Sequence, residues 1–186
     1  MRVISGQHRG RRLEAPPGLA VRPTGERARE ALFDILGHGR FGQAPLWQGA
    51  RVLDAFAGTG AFGIEALSRG ADHATFIDHD RIAEAAIRTN LARLGESERA
   101  TLIRADATHP PRTTAPCSLA FLDPPYGGDL GLTSLLALAE AGWFASGALI
   151  VIELAKTQPF TAPDAFQWLE ERRYGAAKFI FLSTSS

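Results

Sequence analysis

From Arg51 onward the chain alternates short apolar runs with amphipathic stretches, and this alternation limits the possible folds more than any other feature. RVLDAF reads as a buried strand, followed by a glycine loop and the helix AFGIEALSRG. ATFID is a second strand, followed by the helix DRIAEAAIRTNLARLG. TLIRAD is a third, SLAFLD a fourth that leads to a helix around LTSLLALAEAGW, and ALIVIEL a fifth. Strands that alternate with helices require a parallel sheet covered on both faces. FQWLEERRYG and AAKFIFLS close the chain as two strands joined by a glycine turn, which predicts one antiparallel strand at the edge of that sheet. Ligands of such sheets bind outside the carboxyl ends of the strands, at the point where strand order reverses. Function is therefore sought in the residues just after each strand.

The first strand runs into Asp54-Ala55-Phe56-Ala57-Gly58-Thr59-Gly60-Ala61-Phe62-Gly63, a G-x-G-x-x-G between a predicted strand and a predicted helix. Glycines there allow a sharp turn and a close backbone approach to a ligand. Asp78 ends the second strand, with Asp80 two residues on, where an acid would hold ribose hydroxyls. Two ligands compete for such a loop. A dinucleotide would set its pyrophosphate on it, and a carboxylate just before the glycines would repel that group. S-adenosylmethionine has no phosphate, and Asp54 suits the amino group of its methionine end. The pattern D-x-F-x-G-x-G therefore favours the sulfonium cofactor. Asp106, at the end of the third strand, reads equally as an acceptor for the adenine amino group and as a helix cap in a polar loop.

The fourth strand runs into Asp123-Pro124-Pro125-Tyr126-Gly127-Gly128, the most specific signal in the chain. An amino group conjugated to a base ring is a poor nucleophile, because its lone pair is delocalised. Asp123 can accept one of its N–H hydrogen bonds and the carbonyl of Pro124 the other, which aims the nitrogen at a methyl donor. Pro124 and Pro125 fix the backbone and remove competing amide donors. Tyr126 can stack on the base, an interaction worth about 1–3 kcal/mol. The base must first be unpaired or flipped out.

The charge of the chain is zero but unevenly placed. Residues 1–29 carry seven arginines against Glu14 and Glu26, so a basic arm precedes an acidic body. Within the arm, RVIS and RRLEA flank the turn-prone GQHRG, and Thr24 is the predicted N-cap of a helix reaching about Leu36. Residues 1–40 are thus expected to form a basic, RNA-facing extension, and 41–186 the catalytic unit. His8 is placed with the basic arm, the other histidines at the surface, and Trp47, Trp143 and Trp168 in packing roles. No run of about 18 apolar residues predicts a membrane span, and the arm lacks the apolar core of a secretory signal. The single cysteine, Cys117, excludes an internal disulfide and suits a reducing cytosol, so a cytoplasmic protein is expected. No His, Cys and carboxylate spacing suggests a metal.

Taken together, SGQHRGRRL, RPTGERAREALFDIL, DAFAGTGAFGIEALSRGA and FLDPPY resemble the RsmD-type bacterial methyltransferases, a family within the class I S-adenosylmethionine-dependent enzymes. The resemblance covers essentially the whole chain. It implies a Rossmann-like α/β fold: a mostly parallel seven-stranded sheet with helices on both faces and a short hairpin-like N-terminal extension. It implies methyl transfer from S-adenosylmethionine to the exocyclic N2 of a guanine in 16S ribosomal RNA, free or within the small subunit. Asp54, Phe56, Gly58, Thr59, Gly60, Asp78 and Asp106 would line the cofactor site. Asp123, Pro124, Pro125 and Tyr126 would hold the base, and Arg9, Arg11, Arg12, Arg22, Thr24 and Arg27 would meet RNA. The ribose position is often glutamate in this family and is Asp78 here, with Asp80 able to share the role. An N6-adenine methyltransferase would use the same tetrad and is the nearest alternative. A nicotinamide-dependent oxidoreductase would leave Asp54 and the tetrad unexplained, and a non-catalytic RNA-binding protein would keep only the fold.

Overall fold

The computed structural model describes residues 1–15, 26–41 and 45–185. Seven strands form one sheet in the order β3-β2-β1-β4-β5-β7-β6. They are β1 (Arg51–Ala55), β2 (His73–Asp78), β3 (Ala100–Arg104), β4 (Cys117–Leu122), β5 (Phe144–Ala155), β6 (Phe166–Tyr174) and β7 (Ala177–Thr184). The helices are α1 (Glu26–Gly37), α2 (Ala61–Arg69), α3 (Arg81–Leu94) and α4 (Leu130–Glu140). The first five strands pair in parallel, while β7 pairs antiparallel with both β5 and β6. The expected antiparallel strand is therefore one place inside the edge, and β6 is outermost. The reason is burial: β7 is buried along six of its eight residues, whereas every residue of β6 but Phe166 is exposed or half-buried. An apolar strand stabilises the sheet more when flanked on both sides.

The sheet separates two cores. Val52, Phe76, Leu119, Phe121, Val151, Phe179 and Phe181 face α1, α2 and α3, together with Val3 and Leu13 of the arm. Leu53, Ala55, Ile77, Ala120, Leu122, Ile150 and Ile152 face Leu135 and Leu138 of α4. Successive strand residues thus point to opposite layers, which explains why the strands read as continuous apolar runs. Trp47 and Trp143 are buried as expected, but Trp168 is exposed on the outermost strand, its ring centroid 6.4 Å from that of Phe160.

The arm is tied to the body. Arg2 and Arg12 form an isolated antiparallel bridge, with Val3 N–H donating to the Arg11 carbonyl at 2.9 Å, so the extension is a short hairpin. Glu65 of α2, fully buried, accepts from Ile4 N–H at 2.7 Å, Ser5 N–H at 3.0 Å and Arg69 Nε at 2.7 Å. His8 is also buried: its Nε2 lies 2.5 Å from Glu96 Oε1, and its N–H donates to Ser68 Oγ. It is therefore a latch between the arm and the α3–β3 connection, not a member of the basic surface.

Candidate active site

Five acidic residues lie at or just past the carboxyl ends of β1 to β5: Asp54, Asp78, Asp106, Asp123 and Glu153. The switch in strand order falls between β1 and β4, where β1 leads to β2 on one side and β4 to β5 on the other. The glycine loop follows β1 and the tetrad follows β4. Asp123 N–H donates to the Ala55 carbonyl at 3.2 Å, so the two motifs are joined by backbone.

The glycine loop is shaped by its own carboxylates. Phe56 is the single non-glycine among the described residues with a positive φ, 60°. A left-handed aromatic residue is strained by about 1–3 kcal/mol and persists only where its surroundings fix it. Here Asp123 N–H holds the Ala55 carbonyl, and Ala57 N–H holds the Ile77 carbonyl at 3.2 Å. Gly58 N–H donates to Asp78 Oδ2 at 2.8 Å, and Gly63 N–H donates to Asp54 Oδ2 at 2.8 Å. Two amides that a pyrophosphate could have used are thus taken by carboxylates. The glycines differ in role. A Cβ on Gly63 would lie 2.4 Å from Phe76 Cε1, so this residue lets α2 pack on β2. A Cβ on Gly58, at φ 54°, would meet nothing closer than the Phe56 carbonyl oxygen at 3.9 Å, so open space lies beside it.

Asp54 is 1% exposed. Burial pushes its carboxyl up to about 7, opposed by the Gly63 amide and reinforced by the nearby Asp78. Asp78 has its second oxygen, Oδ1, on Asp80 N–H at 2.9 Å. Asp80 is the N-cap of α3, its Oδ1 accepting from Ile82 N–H at 2.7 Å. Asp106 accepts from Thr108 N–H at 2.8 Å and Thr108 Oγ1 at 2.7 Å, and these bonds hold its carboxyl below the usual range. These bonds close a local turn in the loop after β3, where no helix follows. Thr59 touches the arm, its Oγ1 3.5 Å from Met1 Sδ, and its carbonyl accepts from Asn90 Nδ2.

In the tetrad, Tyr126 is 38% exposed and its hydroxyl donates to Glu153 Oε1 at 3.0 Å. Gln158 clamps the following glycines: Gly127 N–H donates to its Oε1 at 3.3 Å, and its Nε2 donates to the Gly128 carbonyl at 2.9 Å. Sequence reasoning missed both Glu153 and Gln158. The former sits near the end of an apolar run, and an acid buried in such a run was the available signal.

The seven arginines of the arm divide. Arg9, Arg11, Arg12 and Arg27 are exposed. Arg2 pairs with Glu26 at 2.9 Å. Arg29 is 2% exposed, donating to the Arg2 carbonyl at 2.5 Å, and is removed from any RNA surface. Arg22 and Thr24 lie outside the described residues. Among the described residues no cluster of His, Cys, Asp and Glu could hold a metal ion, and no helix is long and apolar enough to cross a membrane.

Comparison with known proteins follows the same lines. The profile of the family described as Conserved hypothetical protein 95 matches residues 1–183. Ribosomal RNA small subunit methyltransferase D of Haemophilus influenzae is 33% identical over 183 residues, 96% of this chain and 91% of that protein. The Escherichia coli protein of the same name is 39% identical over 154 residues, 82% of this chain and 74% of its own. The solved structure of the yhhF protein from Escherichia coli superposes with a TM-score of 0.83 at 35% identity, covering 100% of this chain and 98% of that one. Two independent observations, a strand order that reverses between the glycine loop and the tetrad and a sequence match along nearly the full length, converge on one assignment: this chain belongs to the RsmD family of methyltransferases and has the class I methyltransferase fold.

Proposed function

We propose that this chain transfers a methyl group from S-adenosylmethionine to the exocyclic N2 amino group of a guanine in small-subunit ribosomal RNA. The observation that carries the reading is the tetrad joined by backbone to the glycine loop, which sets an amino-group holder beside a nucleotide cradle. The names of the relatives support ribosomal RNA as the substrate.

The residues at the loop fit the cofactor. Gly58 and Gly63 give their amides to Asp78 and Asp54, so the loop presents acids, which suit an ammonium and ribose hydroxyls better than a pyrophosphate. Open space beside Gly58 admits a ligand. Asp54, Phe56, Gly58, Thr59, Gly60 and Asp78 would hold it, with Asp106 at the rim. When bound, it supplies an electrophilic methyl group on a sulfonium. Asp123 accepts one N–H of the target amino group and the Pro124 carbonyl accepts the other, leaving the lone pair directed at that methyl. Pro125 fixes the turn, and Tyr126 stacks on the flipped base. The nitrogen would lose one proton as its bond to the methyl carbon replaces the carbon–sulfur bond, whose electron pair would stay with the departing thioether, and the Asp123 carboxylate would receive that proton. Arg9, Arg11, Arg12, Arg22, Thr24 and Arg27 would meet the RNA backbone, so residues 1–40 serve as the substrate-facing part and 41–186 as the catalytic part.

Incubation with radiolabelled S-adenosylmethionine and small-subunit ribosomal RNA, free and in assembled subunits, followed by nucleoside chromatography, tests this. Label in N2-methylguanosine is expected. Label in N6-methyladenosine, or none in either substrate, would refute it.

A further inference from the structure

We propose that Glu153 is a positioning residue for methyl transfer, pinning the Tyr126 ring in the orientation in which it stacks on the target base. The inference rests on the reading of Tyr126 given above.

Glu153 is 2% exposed, and a carboxylate is rarely buried to that degree unless its oxygens are engaged. Its Oε1 accepts the Tyr126 hydroxyl at 3.0 Å. Ile152 pairs with Leu122 across the β4–β5 ladder, so Glu153 is the next position in register beside Asp123. Ile150, Ile152 and Leu154 point into the α4 layer, which places Glu153 on the opposite face, above Val151 and Phe121. A buried carboxylate stabilises a sheet no better than an apolar residue of similar volume would. Its presence at this position is therefore better explained by what it holds than by the core.

What it holds is the tip of a ring whose base is already fixed. Pro125 precedes Tyr126, and the Gln158 side chain grips the backbone of Gly127 and Gly128 after it. With the backbone set on both sides, the hydroxyl bond restrains the remaining side-chain rotation. Tyr126 as a whole is still 38% exposed, which leaves it open to an incoming base. A ring ordered before binding removes the entropy of ordering it from each encounter with substrate. The effect should therefore fall on RNA recognition and transfer, not on the cofactor.

A double-mutant cycle separates this role from simple structural support. Glu153→Leu, Glu153→Gln and Tyr126→Phe would be made singly and in pairs, and assayed with small-subunit ribosomal RNA for kcat, KM and cofactor affinity. Glu153→Leu is expected to lower kcat/KM for RNA about tenfold with cofactor affinity unchanged, since the hydrogen bond that holds the ring is lost. Glu153→Gln, which keeps an acceptor oxygen, should recover to within about threefold of the parent. In the Tyr126→Phe background, Glu153→Leu should have little further effect. Equal losses in both backgrounds, or a Gln variant as poor as Leu, would overturn the inference. Should Glu153→Leu fail to fold, Tyr126→Phe alone decides: a parental KM for RNA overturns it, and a raised KM supports it. A parent inactive on RNA, or a Tyr126→Ala variant as active as the parent, overturns the functional reading and this inference with it. An active parent that fails only the cycle overturns the inference alone.

Discussion

Asp54→Asn tests how the loop acid is held. In the folded protein burial lifts the Asp54 carboxyl from 3.8 to about 7. Because the folded value is raised, the stability this group contributes is fully present below pH 3.8 and is lost as pH rises towards 7. Above that range the folded chain carries a desolvated charge, disfavoured by about 4 kcal/mol relative to the unfolded state. Asparagine has nearly the same shape and keeps an oxygen for Gly63 N–H, now at 2.8 Å, but does not ionise. The variant should therefore be more stable than the parent at pH 8, and its advantage over the parent should be about 3 kcal/mol larger there than at pH 5. For a domain of this size that difference corresponds to about 6–12 °C in Tm. Paired thermal melts of parent and variant at the two pH values cancel the contributions of all other titrating groups. A stability difference that is the same at pH 5 and pH 8 would refute the argument that burial holds the proton. The same variant should bind S-adenosylmethionine at least tenfold more weakly at pH 8, because it lacks the charge proposed to face the methionine ammonium. The acid would then lower stability in exchange for binding, a familiar conflict at functional sites.

Asp123→Ala should lose most turnover while keeping cofactor affinity, as a single-turnover assay beside a calorimetric titration would show; near-normal transfer would remove its assigned role. Gly63→Ala should destabilise the fold by about 1–3 kcal/mol, because its Cβ would fall 2.4 Å from Phe76 Cε1, whereas Gly58→Val should abolish cofactor binding. Denaturation and calorimetry on the pair distinguish the packing glycine from the ligand glycine, and interchanged phenotypes would contradict the geometry. Replacing Arg9, Arg11 and Arg12 together by alanine should weaken RNA binding and flatten its salt dependence by up to about three phosphate equivalents in a log–log plot, with cofactor affinity unchanged. An unaltered slope would send the search for the RNA surface elsewhere.

The parts of the site that were legible in the sequence are those whose residues are contiguous. Asp123 to Tyr126 and Asp54 to Gly63 announce themselves because strand, turn and chemistry fall in one window. Glu153 and Gln158 act on the tetrad from 27 and 31 residues away, and only the strand register brings them there. Nor did spacing tell which acid after a strand holds the glycine loop and which caps a helix. Asp78 and Asp80 are two residues apart, yet one holds Gly58 N–H and the other Ile82 N–H. The order of the last two strands was partly readable. AAKFIFLS is almost wholly apolar and FQWLEERRYG is not, which marks the former as the interior strand, but a hairpin reading by itself does not say which arm meets β5.

The basic arm shows how a charge count misleads when periodicity is ignored. Seven arginines suggest a uniform phosphate-binding surface, but Arg29 lies three, four and seven residues before Leu32, Phe33 and Leu36, the buried stripe of α1. That spacing alone assigns it inward, and burial lowers its pKa against the pull of Glu65. Inside, it does something a phosphate contact could not. Arg29 holds the Arg2 carbonyl, Glu65 holds the amides of Ile4 and Ser5, and Glu96 holds His8. These bonds reach the hairpin from α1, α2 and the α3–β3 connection. A hairpin gripped on three sides presents Arg9, Arg11 and Arg12 from a fixed backbone, so, if they meet RNA as proposed above, the entropy of ordering the arm is met in folding and not at each encounter. Under the proposed function the net-acidic body, with 18 acidic and 13 basic residues after position 29, increases the share of RNA attraction that these exposed arginines must supply.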